Sequence, residues 1–281
     1  MHDKTIPPPG ADNNSDVPQA DHILRRQRGL GVIKTLTGTD NPDAFARKLE
    51  ADNGALGSFV LDFVMGDLWS RDQLSRRDRN LIVLAILGAL HQTNQLANFV
   101  RAGINHGLTP EEIREVMIHL SAYAGFPRAL DAMAEINRQL AALGHAPEAE
   151  GLPGSDRLSN VQRRARGAEV MGRLSGNDAA DPDEVLNALA GKLGPIGEYG
   201  IDFVFGEVWA RPQLSRRDRS LIVISILTAL GCTEELDIHI PAAARHGLTK
   251  IELEELMLTA LAYAGAPRAV DGMRKVVEHT E

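Results

Sequence analysis

The chain has 281 residues, with 30 Lys and Arg against 38 Asp and Glu and a formal net charge of −8 at pH 7. This acidity lacks the basic footprint with which proteins bind nucleic acid or an anionic membrane surface. No apolar run approaches the ~18 residues of a membrane span, and a lone cysteine, Cys232, excludes an internal disulfide and any multi-cysteine zinc site.

In chain order, residues 1–21 carry four prolines and few apolar anchors, and a disordered tail is expected there. They hold no apolar signal core, so the expected location is cytoplasmic. A first unit, 22–143, opens with RRQRGLGVIKTLTG (Arg25–Gly38). Ser75-Arg-Arg-Asp78 reads as a helix start, because the serine accepts from early backbone N–H groups and the aspartate suits the positive helix end. LIVLAILGAL (Leu81–Leu90) is apolar on every side and predicts a buried helix. Thr93 is expected to cap the next helix, which closes at Gly107. Thr109-Pro-Glu-Glu112 forms a capping box with proline at the first helical position. Gly125-Phe-Pro127 then breaks the pattern before a last helix.

Residues 144–159, rich in Gly, Pro, Ala and acidic side chains, read as a linker. The second unit, 160–281, writes the first one again. QLSRRDR at Gln73–Arg79 returns at Gln213–Arg219, 140 residues on. At the same offset Asp62–Trp69 matches Asp202–Trp209, HGLT recurs at His246, and AYAG-PRA recurs at Ala262. RRARGAEVMGRLSG (Arg163–Gly176) answers Arg25–Gly38 with a slip of two residues. Thr233 is expected to cap as Thr93 does, Thr249-Lys-Ile-Glu252 repeats the capping box, and Gly231 ends the apolar helix where the first copy has His91. No strand alternation appears. The chain is expected to be all-α, two tandem helical domains.

Shared positions point to structure and divergent polar ones to function. Copy two reads Cys232-Thr-Glu-Glu235-Leu-Asp-Ile-His239 where copy one reads Gln92-Thr-Asn-Gln95-Leu-Ala-Asn-Phe99. Glu235 and His239, four residues apart on a helix, can meet. A carboxylate beside an imidazole fixes its tautomer and favours the protonated form, a general acid/base arrangement. His106 and His246 occur in both copies at helix C-termini, and the helix dipole accounts for them. The RRDR runs read as salt-linked helix starts, with Arg217 or Arg219 able to reach a substrate carboxylate. Trp209 and Tyr263, in the second copy, are further candidates to line a pocket. Glu235 and His239 offer only two metal ligands, so no metal is expected, and no glycine-rich phosphate loop is present.

On FGEVWARPQLSRRDRSLIVISILTAL (Phe205–Leu230), EELDIHIPAAARHGLT (Glu234–Thr249) and AYAGAPRAV (Ala262–Val270), the sequence resembles the carboxymuconolactone decarboxylase family, which includes AhpD-like alkylhydroperoxidases. The likeness covers both repeats. The peroxidase branch places Cys-x-x-Cys ahead of a histidine, in slots held here by Cys232, Glu235 and His239, and a glutamate where Ser220 stands. Only the first cysteine is present, whereas the decarboxylase branch carries glutamate and histidine in the last two slots. The resemblance thus implies Glu235 and His239 as the active pair of a cofactor-independent lyase. They would orient a lactone carboxylate and move a proton at the carbon that loses carbon dioxide. It implies a silent first repeat and, from rings of six units, a homotrimer of this chain. Isomerisation or ring opening is a related outcome. A thiol peroxidase using Cys232 and a non-catalytic ligand-binding protein are the alternatives. Two departures stand out. Pro241 is expected to kink the helix after His239, and Cys232, counted among the substrate-binding candidates, replaces a basic residue that would hold a dianion.

Overall fold

The computed structural model describes residues 16–145, 157–176 and 181–280, with side chains from Asp21 onward. The first fifteen residues of the expected tail and most of the expected linker lie outside them. Every regular element among the described residues is helical. The first repeat contains α1 (Asp16–Thr37), α2 (Pro42–Asn53), α3 (Ala55–Phe59) and a wide helix π1 (Val60–Leu68), then α4 (Arg76–Ala89), α5 (Thr93–Asn105), α6 (Pro110–Tyr123) and α7 (Phe126–Ala142). The second contains α8 (Asn160–Ser175), α9 (Pro182–Leu193), α10 (Pro195–Tyr199), π2 (Gly200–Trp209), α11 (Arg216–Leu230), α12 (Thr233–Arg245), α13 (Lys250–Tyr263) and α14 (Ala266–Thr280). Helix α1 begins at Asp16, inside the stretch expected as tail, with Pro18 in its first turn, where the missing N–H costs nothing.

The chain divides into two compact units, one ending in Lys34 and resuming over Thr39–Arg71, the other formed by Thr35–Gly38 and Asp72–Glu281. In the first, α1 packs on π1 through glycine: a Cβ on Gly29 would lie 2.2 Å from the Leu61 carbonyl oxygen.

The larger unit holds α4–α14 and the helical cores of both repeats. Ser75 and Ser215 accept from the Asp78 and Asp218 amides at 3.1 Å, as their sequence implies. Both threonine capping boxes are formed. Thr93 and Thr233 do not cap: Gln92 and Cys232 hold the N-cap positions, without a side-chain bond, and each threonine is the first helical residue. Gly231 ends α11 at φ 77°, and His91 takes the same left-handed turn at φ 58°. His91 therefore stops its helix where glycine does so in the second copy.

Helices α4 and α11 pack on one another and are buried from Asp78 to Ala89 and from Asp218 to Ala229. That is why both segments are apolar on every side. Each fully buried Leu, Ile or Val contributes ~1.5–3 kcal/mol of transfer free energy. The RRDR runs tie the copies to each other. Arg77 donates to Asp218 at 3.1 Å, and Arg217 donates to Asp78 at 2.9 Å. Deeper in, buried Arg79 pairs with Glu255 and buried Arg219 with Glu115. The four contacts are reciprocal under exchange of the repeats, so the duplicated chain behaves as a dimer joined into one polypeptide. Removing one partner of such a buried pair costs ~3–5 kcal/mol.

Candidate active site

Trp209 is placed by an unusually close helix crossing. A Cβ on Gly167 of α8 would stand 2.1 Å from the Ile201 carbonyl oxygen of π2, and one on Gly206 would stand 2.1 Å from that of Arg163. Only glycine allows the two backbones this near. Arg164 clamps buried Asp202 through two hydrogen bonds of 3.0–3.1 Å beside the crossing. Trp209, the last residue of π2, thereby reaches the centre of the larger unit with 4% exposure.

His239 stacks on this indole, with ring centroids 6.1 Å apart and 22° between planes. Tyr123 of the first repeat meets the same imidazole edge-on at 5.5 Å, and its hydroxyl accepts from Trp209 Nε1 at 2.8 Å. His246 lies on the indole as well, at 6.0 Å. Buried His119 approaches it edge-on at 6.0 Å and is held between the Glu115 carbonyl and Arg219, each at 3.0 Å. No hydrogen bond or ion pair to His239 is found among the described residues. Burial, helped by neighbouring His246, lowers the His239 pKa to about 4, so the ring is neutral at pH 7.

That finding corrects the expectation of a charged Glu235–His239 pair. Glu235 is exposed on α12 while His239 is buried, and no bond joins them among the described residues. Four-residue spacing sets two side chains on one side of a helix but does not fix their depth. Cys232, at the start of α12, has its thiol pKa raised by burial and by the Glu235 carboxylate, with Arg268 opposing. The helix continues through Pro241 to Arg245; the proline removes one backbone donor without ending it.

Two expected arginines are engaged elsewhere. Arg217 is held by Asp78 and Glu252. Arg219 gives its protons to the Leu214, Val208 and Arg211 carbonyls and to His119. Tyr263 packs edge-on against Phe99 at 5.4 Å, in the first copy's equivalent of the His239 position. Each repeat therefore sends its tyrosine into the other's site. Sequence reading assigned Tyr263 to the wrong pocket, because matched helices do not reveal an exchange across the repeat interface. Tyr123 was missed for that reason. His119 was missed despite a signal in the sequence, since Thr259 stands at its matching position.

On Trp209 opens a cleft of about 260 Å³, lined by Arg166, Arg211, Arg216, Arg219 and Glu169 among others but by none of the three histidines. It adjoins a larger, more apolar cleft of about 790 Å³ that shares Arg166, Ala210 and Arg211 and runs along Phe126, Leu130 and Phe203. Exposed Arg166 and Arg216 make the smaller cleft suited to a carboxylate. Trp209 links this cleft to both imidazoles. No three-residue metal-ligand cluster among the described residues includes His239. The cluster present, Asp237, Glu278 and His279, is bonded to Lys275.

A duplicated helical protein results, with a buried histidine at position 239 of the second copy and phenylalanine at the matching position 99 of the first. The chain belongs to the carboxymuconolactone decarboxylase family, whose profile matches residues 54–138 and 197–278, more than half of the chain. It is 34% identical over 124 residues to a 4-carboxymuconolactone decarboxylase of Acinetobacter baylyi, covering 44% of this chain and 92% of that protein. It is 33% identical over 79 residues to the nitrosuccinic acid decarboxylase npaB of Metarhizium robertsii, covering 28% of this chain and 55% of that protein.

Proposed function

We propose that the chain is a cofactor-independent decarboxylase of small polycarboxylates, with His239 as the proton donor. The observation that carries this reading is a buried imidazole, free of hydrogen bonds among the described residues, stacked on a tryptophan that also lines an arginine cleft. The substrates named for the two relatives, a carboxylated lactone and a nitro diacid, share one chemical feature. Each holds a carboxylate within conjugative reach of an electron sink, a lactone carbonyl or a nitro group.

In the free protein, burial keeps His239 neutral. A substrate carboxylate beside it favours the imidazolium, so a proton is taken up with the substrate. The carbon–carboxylate bond then breaks, its electron pair moves into the sink, and carbon dioxide leaves. The imidazolium N–H proton goes to carbon and the ring returns to neutral. Exposed Arg166 and Arg216 supply the positive charge that Cys232 does not, while Arg211 is held by Glu115. A raised thiol pKa and the lack of a second cysteine speak against the peroxidase alternative.

The test is NMR of 4-carboxymuconolactone in deuterated buffer. Turnover with deuterium at the protonated carbon is expected, with a loss of ~10²–10⁴-fold in His239→Gln. Because kcat/KM reports the free protein, and the His239 pKa lies near 4, kcat/KM is expected to keep rising as pH falls from 6 to 5. A plateau below pH 6.5 would assign the proton to another group. Binding without turnover for lactone and nitrosuccinate alike would support the non-catalytic alternative.

A further inference from the structure

The two shared histidines, His106 and His246, have different surroundings. In the first copy Asn80 Nδ2 donates to His106 Nδ1 at 2.7 Å, which leaves the proton on Nε2, and Nε2 bonds Thr35 Oγ1 at 3.1 Å. The same Thr35 oxygen accepts from Arg76 at 2.6 Å. In the second copy Ser220 replaces Asn80 and bonds His246 Nδ1 at 2.8 Å. Arg173 replaces Thr35 and is turned to Glu169, 2.6 Å away. His246 Nε2 is left buried with no hydrogen-bond partner among the described residues. Arg216, the counterpart of Arg76, is exposed and lines the arginine cleft. One replacement, threonine to arginine, thus opens both an imidazole nitrogen and a guanidinium in the copy that carries His239.

A buried polar atom without a partner is destabilising, and a polar ligand that pairs with it returns that energy. His246 rests on the indole that holds His239. We infer that His246, oriented by Ser220, is a second catalytic residue whose Nε2–H donates a hydrogen bond to the sink oxygen as negative charge develops there. His239 handles the proton and His246 stabilises the charge. The inference rests on the decarboxylase reading for the identity of that oxygen. Preorganised donors at such a position contribute ~10²–10³-fold in kcat.

Arg173→Thr copies the first repeat and gives Nε2 a hydroxyl partner; Arg173→Ala gives it none. Arg173→Thr is expected to lower kcat about tenfold or more while Arg173→Ala retains the wild-type rate. Equal rates for both and wild type would overturn the inference without touching the decarboxylase reading, which fails only if wild type turns over neither lactone nor nitrosuccinate. A second readout needs no turnover. Propionate 3-nitronate carries the anionic oxygen of a nitro-stabilised carbanion. Its titration into ¹⁵N-histidine-labelled protein should shift the His246 Nε2 resonance, leave His106 in place, and lose the shift in Arg173→Thr. An unmoved His246 signal would overturn the assignment.

Discussion

An imidazole is useful in acid/base chemistry when its surroundings, not its own pKa, decide when it carries a proton. His239 meets that condition through burial against Trp209 and Tyr123. Tyr123 tests the exchange of side chains between repeats. Its hydroxyl is the acceptor for the indole N–H, so Tyr123→Phe should cost ~1–2 kcal/mol of stability and lower kcat about tenfold by loosening the indole. Tyr263→Phe, beside Phe99, should leave kcat within about twofold of wild type. The reverse ranking in steady-state assays would return the active tyrosine to the second repeat. Glu235 and His239 stood out in the sequence because the other copy has Gln95 and Phe99 in their places. Their difference in depth was not legible, because helical spacing fixes direction around the axis but not what packs against each face.

At the scale of elements, the crossing of α8 and π2 positions the indole. Gly167→Ala places a methyl against the Ile201 carbonyl and is expected to destabilise by about 3 kcal/mol or more. Gly191, in α9, has open space around it, so Gly191→Ala should stabilise by about 1 kcal/mol through helix propensity. Urea midpoints measure both, and equal effects would mean that the crossing is not tight. Helix starts and the buried helices were readable from capping residues and apolar runs. Thr93 and Thr233 misled by one position, since a threonine that can cap is also acceptable in the first turn.

For the larger unit as a whole, buried histidines couple stability to pH. Burial lowers the pKa of His119 to about 3, with Arg219 assisting, and that of His106 and His239 to about 4. Each would titrate near 6.5 in the unfolded chain. Above 6.5 neither state is protonated and the stability is complete. As pH falls below 6.5 the unfolded chain takes up protons that the folded one refuses, and stability is lost progressively toward pH 4. Fully buried His119 alone contributes a slope approaching ~1.4 kcal/mol per pH unit. The urea midpoint should therefore fall between pH 6.5 and 5, before carboxylates titrate; a flat midpoint would show that these rings are solvated.

Composition and internal repetition were enough to establish an all-helical, duplicated chain and to locate its divergent polar residues. Helix signals and copy-to-copy differences are local in sequence, and they survive without knowledge of packing. Tyr123 and His119 emerge only when α6 of one repeat meets π2 and α12 of the other, and the unpartnered Nε2 of His246 only when α8, α11 and α12 pack within the second. The association of two repeats brings together side chains that lie far apart in sequence, and burial there sets their protonation.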